Sequence, residues 1–147
     1  MNDDLDQWVG QVQREITEKE KKVYSLKIME ECMNLTHRGT LRSPQASSSL
    51  RGPCGDMMEF FIMIPEDRLE KVRYLSDGCA SSQACGNRLA RWVEGMTISE
   101  AWKISPEMLD RELGGLPDND NHCAALAVSS LRKAMGPPEK VQKNEAI

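Results

Sequence analysis

The chain has no Cys-x-x-Cys pair, and its cysteines are odd in number, five in 147 residues. That argues against a disulfide framework, a zinc ribbon and a thioredoxin-type redox pair. No apolar run approaches the roughly 18 residues that a membrane helix needs, so no membrane partner is expected. Basic residues are not in excess: 19 Lys and Arg stand against 23 Asp and Glu, a net charge of −4. Nothing here invites a nucleic-acid phosphate backbone. The acidic start, Met1-Asn2-Asp3-Asp4-Leu5-Asp6, resembles neither a secretory signal nor an Arg-rich transit peptide, and the expected location is cytoplasmic. No internal repeat is present.

What is there is an ordinary globular balance, 39% hydrophobic and 29% charged. A chain of this length fits one domain that buries about two thirds of its extended surface. Leu5, Trp8, Val9, Val12 and Ile16 form one stripe at helical spacing, and Tyr24, Ile28, Cys32 and Leu35 a second, beyond the charged stretch Glu18–Lys22. This predicts one long helix or two in succession, the first stripe packing on its own domain or docking a partner. Thr36 to Pro53 turns to Gly, Ser, Arg and Pro and reads as a long loop, with a short edge strand near Ser49–Gly52. Loops this long are more often functional or mobile than filler.

Met57–Ile64 is nearly all apolar and predicts a central strand; Leu69–Ser76 predicts its antiparallel partner. Ser81 or Ser82 is the expected cap of a helix with Cys85, Leu89, Trp92, Val93 and Met96 on its stripe, ended by Gly95. Thr97–Lys103 and Pro106–Leu113 read as short helices, the second capped by Ser105. A last helix carries Cys123, Leu126, Ala127, Leu131, Ala134 and Met135, stopped by Gly136-Pro137-Pro138. Strands first and helices after make the class α+β: a small antiparallel sheet of about three strands packed by N-terminal and C-terminal helices. The expected division is an N-terminal helical extension over 1–22, the domain over 23–136 and a disordered tail over 137–147.

Three short words sit at the junctions of these elements: Gly52-Pro53-Cys54-Gly55-Asp56, Gly78-Cys79-Ala80 and His122-Cys123. Thiolates bind soft or borderline metals, an imidazole can complete a tetrahedral shell, and a carboxylate adds a weaker oxygen ligand. A cysteine at a helix start feels the positive end of the helix dipole, which favours the thiolate. Any one of these cysteines could merely fill space, as Cys32 and Cys85 are expected to do on their apolar stripes. His122 alone could cap its helix, and Asp56 could be a turn acceptor. His37, in the Gly/Ser-rich loop, reads as solvated.

In this order, joined by a strand hairpin and a helix, the three words resemble the U-type iron–sulfur cluster assembly scaffold family (IscU and the NifU N-terminal domain), from about Tyr24 to Met135. The resemblance implies a non-enzymatic scaffold that builds a cluster, [2Fe–2S], from iron and desulfurase-derived sulfur and passes it to apo-proteins. It implies Cys54, Cys79 and Cys123 as sulfur ligands of the cluster. Asp56 and His122 would join them as metal ligands, and zinc could take the same shell. The implied partners are a cysteine desulfurase, recipient apo iron–sulfur proteins, and a ferredoxin or frataxin-like protein; the chain would be a monomer or a dimer.

Two departures stand out. Where the chaperone-served scaffold has Leu-Pro-Pro-x-Lys, this chain has Leu116-Pro117-Asp118-Asn119-Asp120, with acids at the second proline and the lysine. The family's N-terminal Asn-Pro-x-Asn-x-Gly word survives only as Asn34 and Gly39. The alternatives are a zinc-bound sulfurtransferase of the SufU type and a structural zinc module for protein binding. SufU-like chains have an insertion between the second and third cysteines and lack the histidine; this chain has no obvious insertion and keeps His122.

Overall fold

Alternation sets the sheet. Along Met57–Met63 every second side chain, Met58, Phe60 and Ile62, is fully buried, the period-two pattern of a strand with one face on a core. This strand, β2, lies at the centre of an antiparallel sheet of order β1-β2-β3, between β1 (Ala46–Arg51) and β3 (Lys71–Ser76). The register sets Phe60 opposite Tyr74 and Ser48, and Ile62 opposite Val72. These residues share the face that the helices cover. The computed structural model describes residues 4–11 and 23–138; the expected apolar positions Val12 and Ile16, and the tail beyond 138, lie outside them.

The helices are α1 over 4–11, α2 (Leu26–Cys32), α3 (Ala80–Val93), α4 (Ile98–Trp102), α5 (Pro106–Glu112) and α6 (Asn121–Met135). α6 packs on β1 and β2, α3 packs on β3, and α2 packs on α3. The class is α+β, as expected. Cys85, Leu89 and Val93 of α3 and Cys123, Ala127 and Leu131 of α6 meet in one core with Ile28 and Cys32 of α2. Gly86 lets α3 approach the sheet, because a Cβ there would meet the Tyr74 ring. Thr97 and Glu100 form a capping box at α4, and Ser105 caps α5 with Pro106 in its first turn.

Three local expectations need correction. The segment read as a long loop is shortened by β1, which begins at Ala46 and runs to Arg51. Its serines hid it: Ser48 is the buried one, donating to the Ser130 carbonyl on α6. His37 is not solvated. Its Nε2 lies 2.7 Å from Glu94 Oε1 and its Nδ1 2.7 Å from the Thr36 hydroxyl. A bridge between Arg38 and Tyr74 pins that stretch against the edge of β3. Neither Ser81 nor Ser82 caps α3: the cap position is Cys79, with no side-chain cap bond, and both serines lie buried within the first turn.

Candidate metal centre

The two strand ends bring the site together. Asp77, just past β3, accepts the Met57 N–H at 2.7 Å, which ties the start of β2 to the end of β3 and places Asp56 beside Gly78. The approach is close enough that a Cβ on Gly78 would lie 2.7 Å from Asp56 Oδ2. The chain then enters α3 through Cys79. From the other side the start of α6 presents Asp120, His122 and Cys123.

Cys123, fully buried, is the hub. Its Sγ is 3.4 Å from Ser82 Oγ and 3.8 Å from His122 Nε2, and Ser82 Oγ donates to Asp56 Oδ2 at 3.1 Å. The candidate ligand atoms of Asp56, His122 and Cys123 all lie within 4.8 Å of one another, and so do those of Cys79, Asp120 and Cys123. Two triangles of donors thus share one sulfur.

Electrostatics separates the cysteines. The Cys123 thiol donates to Cys79, and with the backbone N–H groups of Ser82 and Ser81 it draws the Cys79 pKa down from 9.0 to about 6, against burial and the nearby Asp120. The same bond, with burial, pushes Cys123 up. Of the two sulfurs, Cys79 therefore gives up its proton first. Burial pushes Cys32 up to about 12 and Cys85 well above its ordinary value; neither is placed to offer a thiolate. Cys32 instead donates to the Ala80 carbonyl at 3.3 Å.

Of the five residues expected at the site, the structure gathers Asp56, Cys79, His122 and Cys123. Cys54 joins neither triangle. It is exposed, on the turn that links β1 to β2, where the Gly52 N–H reaches the Asp56 carbonyl at 2.7 Å and Gly55 takes φ +90°. A glycine tolerates that backbone where other residues would be strained.

Sequence reasoning missed Ser81, Ser82 and Asp120. Asp120 is 2% exposed and accepts from Ser81 Oγ at 2.7 Å. In the sequence it stood out only as an acid at the lysine position of the family's loop; its buried partner Ser81 comes from a helix far away in the chain. An open groove of about 440 Å³, lined by Trp8, Leu35, Arg38, Gly78, Cys79 and Gln83, connects Cys79 to the surface. Among the described residues no helix is long and apolar enough to cross a membrane.

The chain is similar in sequence and fold to known proteins. The model of the NifU-like N-terminal domain matches residues 23–144. An iron–sulfur cluster assembly scaffold protein IscU of Archaeoglobus fulgidus is 32% identical over 77% of this chain and 74% of its own length. The IscU scaffold protein of Aquifex aeolicus is 33% identical over 76% and 73%. The fold matches the crystal structure of a proposed cluster assembly scaffold for the SUF system from Fervidobacterium islandicum, with a TM-score of 0.64 at 21% identity over 77% of this chain and 96% of that one. A family model that spans most of the chain, and relatives aligned over three quarters of it, carry one conclusion: this chain belongs to the NifU-like N-terminal domain family of U-type scaffolds.

Proposed function

We propose that the chain is a scaffold on which an iron–sulfur cluster, of the [2Fe–2S] type, is assembled and from which it passes to apo-proteins. The observation that carries this reading is the meeting of Cys79, His122, Asp56 and Asp120 around the Cys123 sulfur, with the Cys79 thiol drawn down to about 6. The curated relatives are named as scaffolds for such clusters. A mixed sulfur, nitrogen and oxygen shell suits cargo that must leave, since oxygen donors hold iron less firmly than thiolate.

In this reading Cys54, Cys79 and Cys123 are the sulfur ligands, with His122 or Asp56 completing the shell. Cys54 closes from its exposed turn once iron is present. Cys79, at the foot of the open groove, accepts the sulfur. Its thiolate attacks the outer sulfur of a cysteine desulfurase persulfide. The desulfurase S–S bond breaks, the desulfurase cysteine leaves as thiolate, and Cys79 becomes the persulfide. Two electrons, one from each of two reduced ferredoxins, then reduce the carried sulfur to sulfide and restore the Cys79 thiolate. A frataxin-like protein and the recipient apo-proteins complete the partners, and the reactions belong in the cytoplasm. The chain holds and hands on; it is not itself an enzyme.

Anaerobic incubation of the metal-free chain with ferrous iron, cysteine, a desulfurase and reduced ferredoxin is the test. Sulfur-to-iron charge-transfer bands should appear in the visible spectrum and co-elute with the chain. Persulfide on Cys79 with bound zinc but no such bands would support the SufU-type sulfurtransferase instead. A chain that takes up zinc and ignores both sulfur and iron would be a structural zinc module.

A further inference from the structure

We propose that Arg38 receives the incoming persulfide: its guanidinium, fixed in the groove that leads to Cys79, draws in an anionic sulfur donor and steadies the donor thiolate as it leaves. This deepens the reading of Cys79 as the sulfur acceptor given above, and rests on it. The groove, about 440 Å³, has Trp8, Leu35 and Ala80 as apolar walls and holds Arg38 and Gln83 alongside Cys79. Of the described residues that line it, only Arg38 carries a positive charge. In the transfer step the Cys79 thiolate attacks the outer sulfur of the donor persulfide. One S–S bond forms, the donor's S–S bond breaks, and the negative charge passes from Cys79 to the donor cysteine. A fixed cation beside that path attracts an anionic donor and stabilises the sulfur that leaves. The apolar walls suit the peptide loop on which a desulfurase carries such a sulfur.

Arg38 is exposed but not loose. Its backbone is held at the edge of β3, where the Tyr74 N–H reaches the His37 carbonyl at 3.0 Å and the Gly39 N–H reaches the Tyr74 carbonyl at 2.8 Å. The His37 N–H adds a bond to Asn87 Oδ1 on α3 at 2.8 Å. The Arg38 side chain is tethered at Nε, which donates to Gln83 Oε1 at 3.3 Å. Gln83 is itself fixed. The Tyr74 hydroxyl donates to the same oxygen at 2.9 Å, and the Gln83 amide nitrogen donates to the Ser76 and Gly78 carbonyls at 2.9 and 3.2 Å. One amide thus couples the guanidinium to the strand end that delivers Cys79. Tethering through Nε leaves the terminal nitrogens of the guanidinium for an anion, and no described residue takes them. The sequence word that keeps only Asn34 and Gly39 of the family pattern is therefore the one that brings the cation to the groove.

The test compares alkylation of Cys79 by iodoacetate, an anion, and by iodoacetamide, which is neutral, in the full-length metal-free chain, read by peptide mass spectrometry. The ratio of the two rates cancels any change in how much of the thiol is ionised and leaves the effect of local charge. Arg38→Gln should lower the iodoacetate-to-iodoacetamide ratio at Cys79 about threefold or more at low salt. Arg38→Lys should keep the wild-type ratio, and high salt should shrink the difference. Cys54, exposed and not among the residues lining the groove, is the internal control, and its ratio should not move. An unchanged ratio at Cys79 in Arg38→Gln would overturn the proposal. So would an equal fall in Arg38→Lys, which would make Arg38 a structural tether through Nε. A persulfide-loaded cysteine desulfurase then tests the transfer itself: persulfide should form on Cys79 more slowly in Arg38→Gln than in Arg38→Lys or wild type. Equal rates in all three would remove Arg38 from the transfer and leave Cys79 as acceptor. No persulfide on wild-type Cys79 would instead sink the acceptor reading, and the proposal with it, whatever the alkylation ratio shows.

Discussion

Cys79 and Cys85 belong to the same helix and meet opposite fates. Cys79 stands at the cap position of α3, where backbone N–H groups and the Cys123 thiol point at its sulfur and its pKa falls to about 6. Cys85, further along, is fully buried among Ile28, Leu89 and their neighbours, and burial pushes its thiol well above the ordinary value. Residue type is the same and the helix is the same. What differs is whether unsatisfied donors or apolar side chains surround the sulfur. The helix end makes a reactive thiolate, and the helix middle makes a small hydrophobe.

The sharpest way to break that contrast is to remove the cysteines one at a time. Cys54→Ser, Cys79→Ser and Cys123→Ser should each abolish stable metal or cluster binding, whereas Cys32→Ser and Cys85→Ser should keep wild-type metal content by elemental analysis. Metal retained by the Cys79 or Cys123 variant would contradict the assignment.

The converse should appear in stability. Cys85→Ser puts a hydroxyl into a fully buried apolar site and should cost about 1–3 kcal/mol, read as a lower denaturant midpoint in the metal-free state. Cys32→Ser should cost less, because its hydroxyl can still donate to the Ala80 carbonyl. Equal losses in the two variants would mean that the local partner does not matter.

Asp56 sharpens the comparison within the site. Its carboxylate is held by Ser82 beside Cys123, so Asp56→Ala should leave cluster assembly largely intact but slow transfer to an apo-ferredoxin by about tenfold. Equal or faster transfer would reduce Asp56 to a turn residue.

The smallest effect is on pH dependence. The folded pKa of Cys79 lies below its unfolded value, so its contribution to the stability of the metal-free chain is full above about pH 9 and lost as pH falls through about 6. Cys123 is shifted the other way and opposes it above pH 9. Melting temperatures should therefore climb between pH 6 and 9, and Cys79→Ala should flatten that climb. Iodoacetamide should label Cys79 at pH 7 in metal-free protein and leave Cys32 and Cys85 unmodified.

The same distinction between local and distant causes explains what the sequence revealed. β2 was legible because Met58, Phe60 and Ile62 lie in one apolar run, and the start of α5 because Ser105 and Pro106 carry their own signal. β1 was legible only at its end: its strand character comes from pairing with β2, and its serines meet α6 through a single buried hydroxyl, Ser48. The words around Cys79 and His122-Cys123 pointed to the site because each lies at an element end. Ser81 and Ser82 were misread as caps since serine at a helix start most often caps; here their hydroxyls reach Asp120 and Asp56 instead. Asp120 could not be read locally at all, as its bond from Ser81 forms only when α3 and α6 pack together.

The central claim is that this chain holds its cluster in order to give it away. The direct measurement is the rate at which anaerobically loaded protein converts an apo-ferredoxin to the holo form in the presence of an iron chelator. A scaffold should transfer faster than free iron and sulfide at equal concentration, with little loss to the chelator, and its own visible bands should fade as those of the ferredoxin rise. Transfer no faster than from free iron and sulfide, or abolished by the chelator, would contradict it.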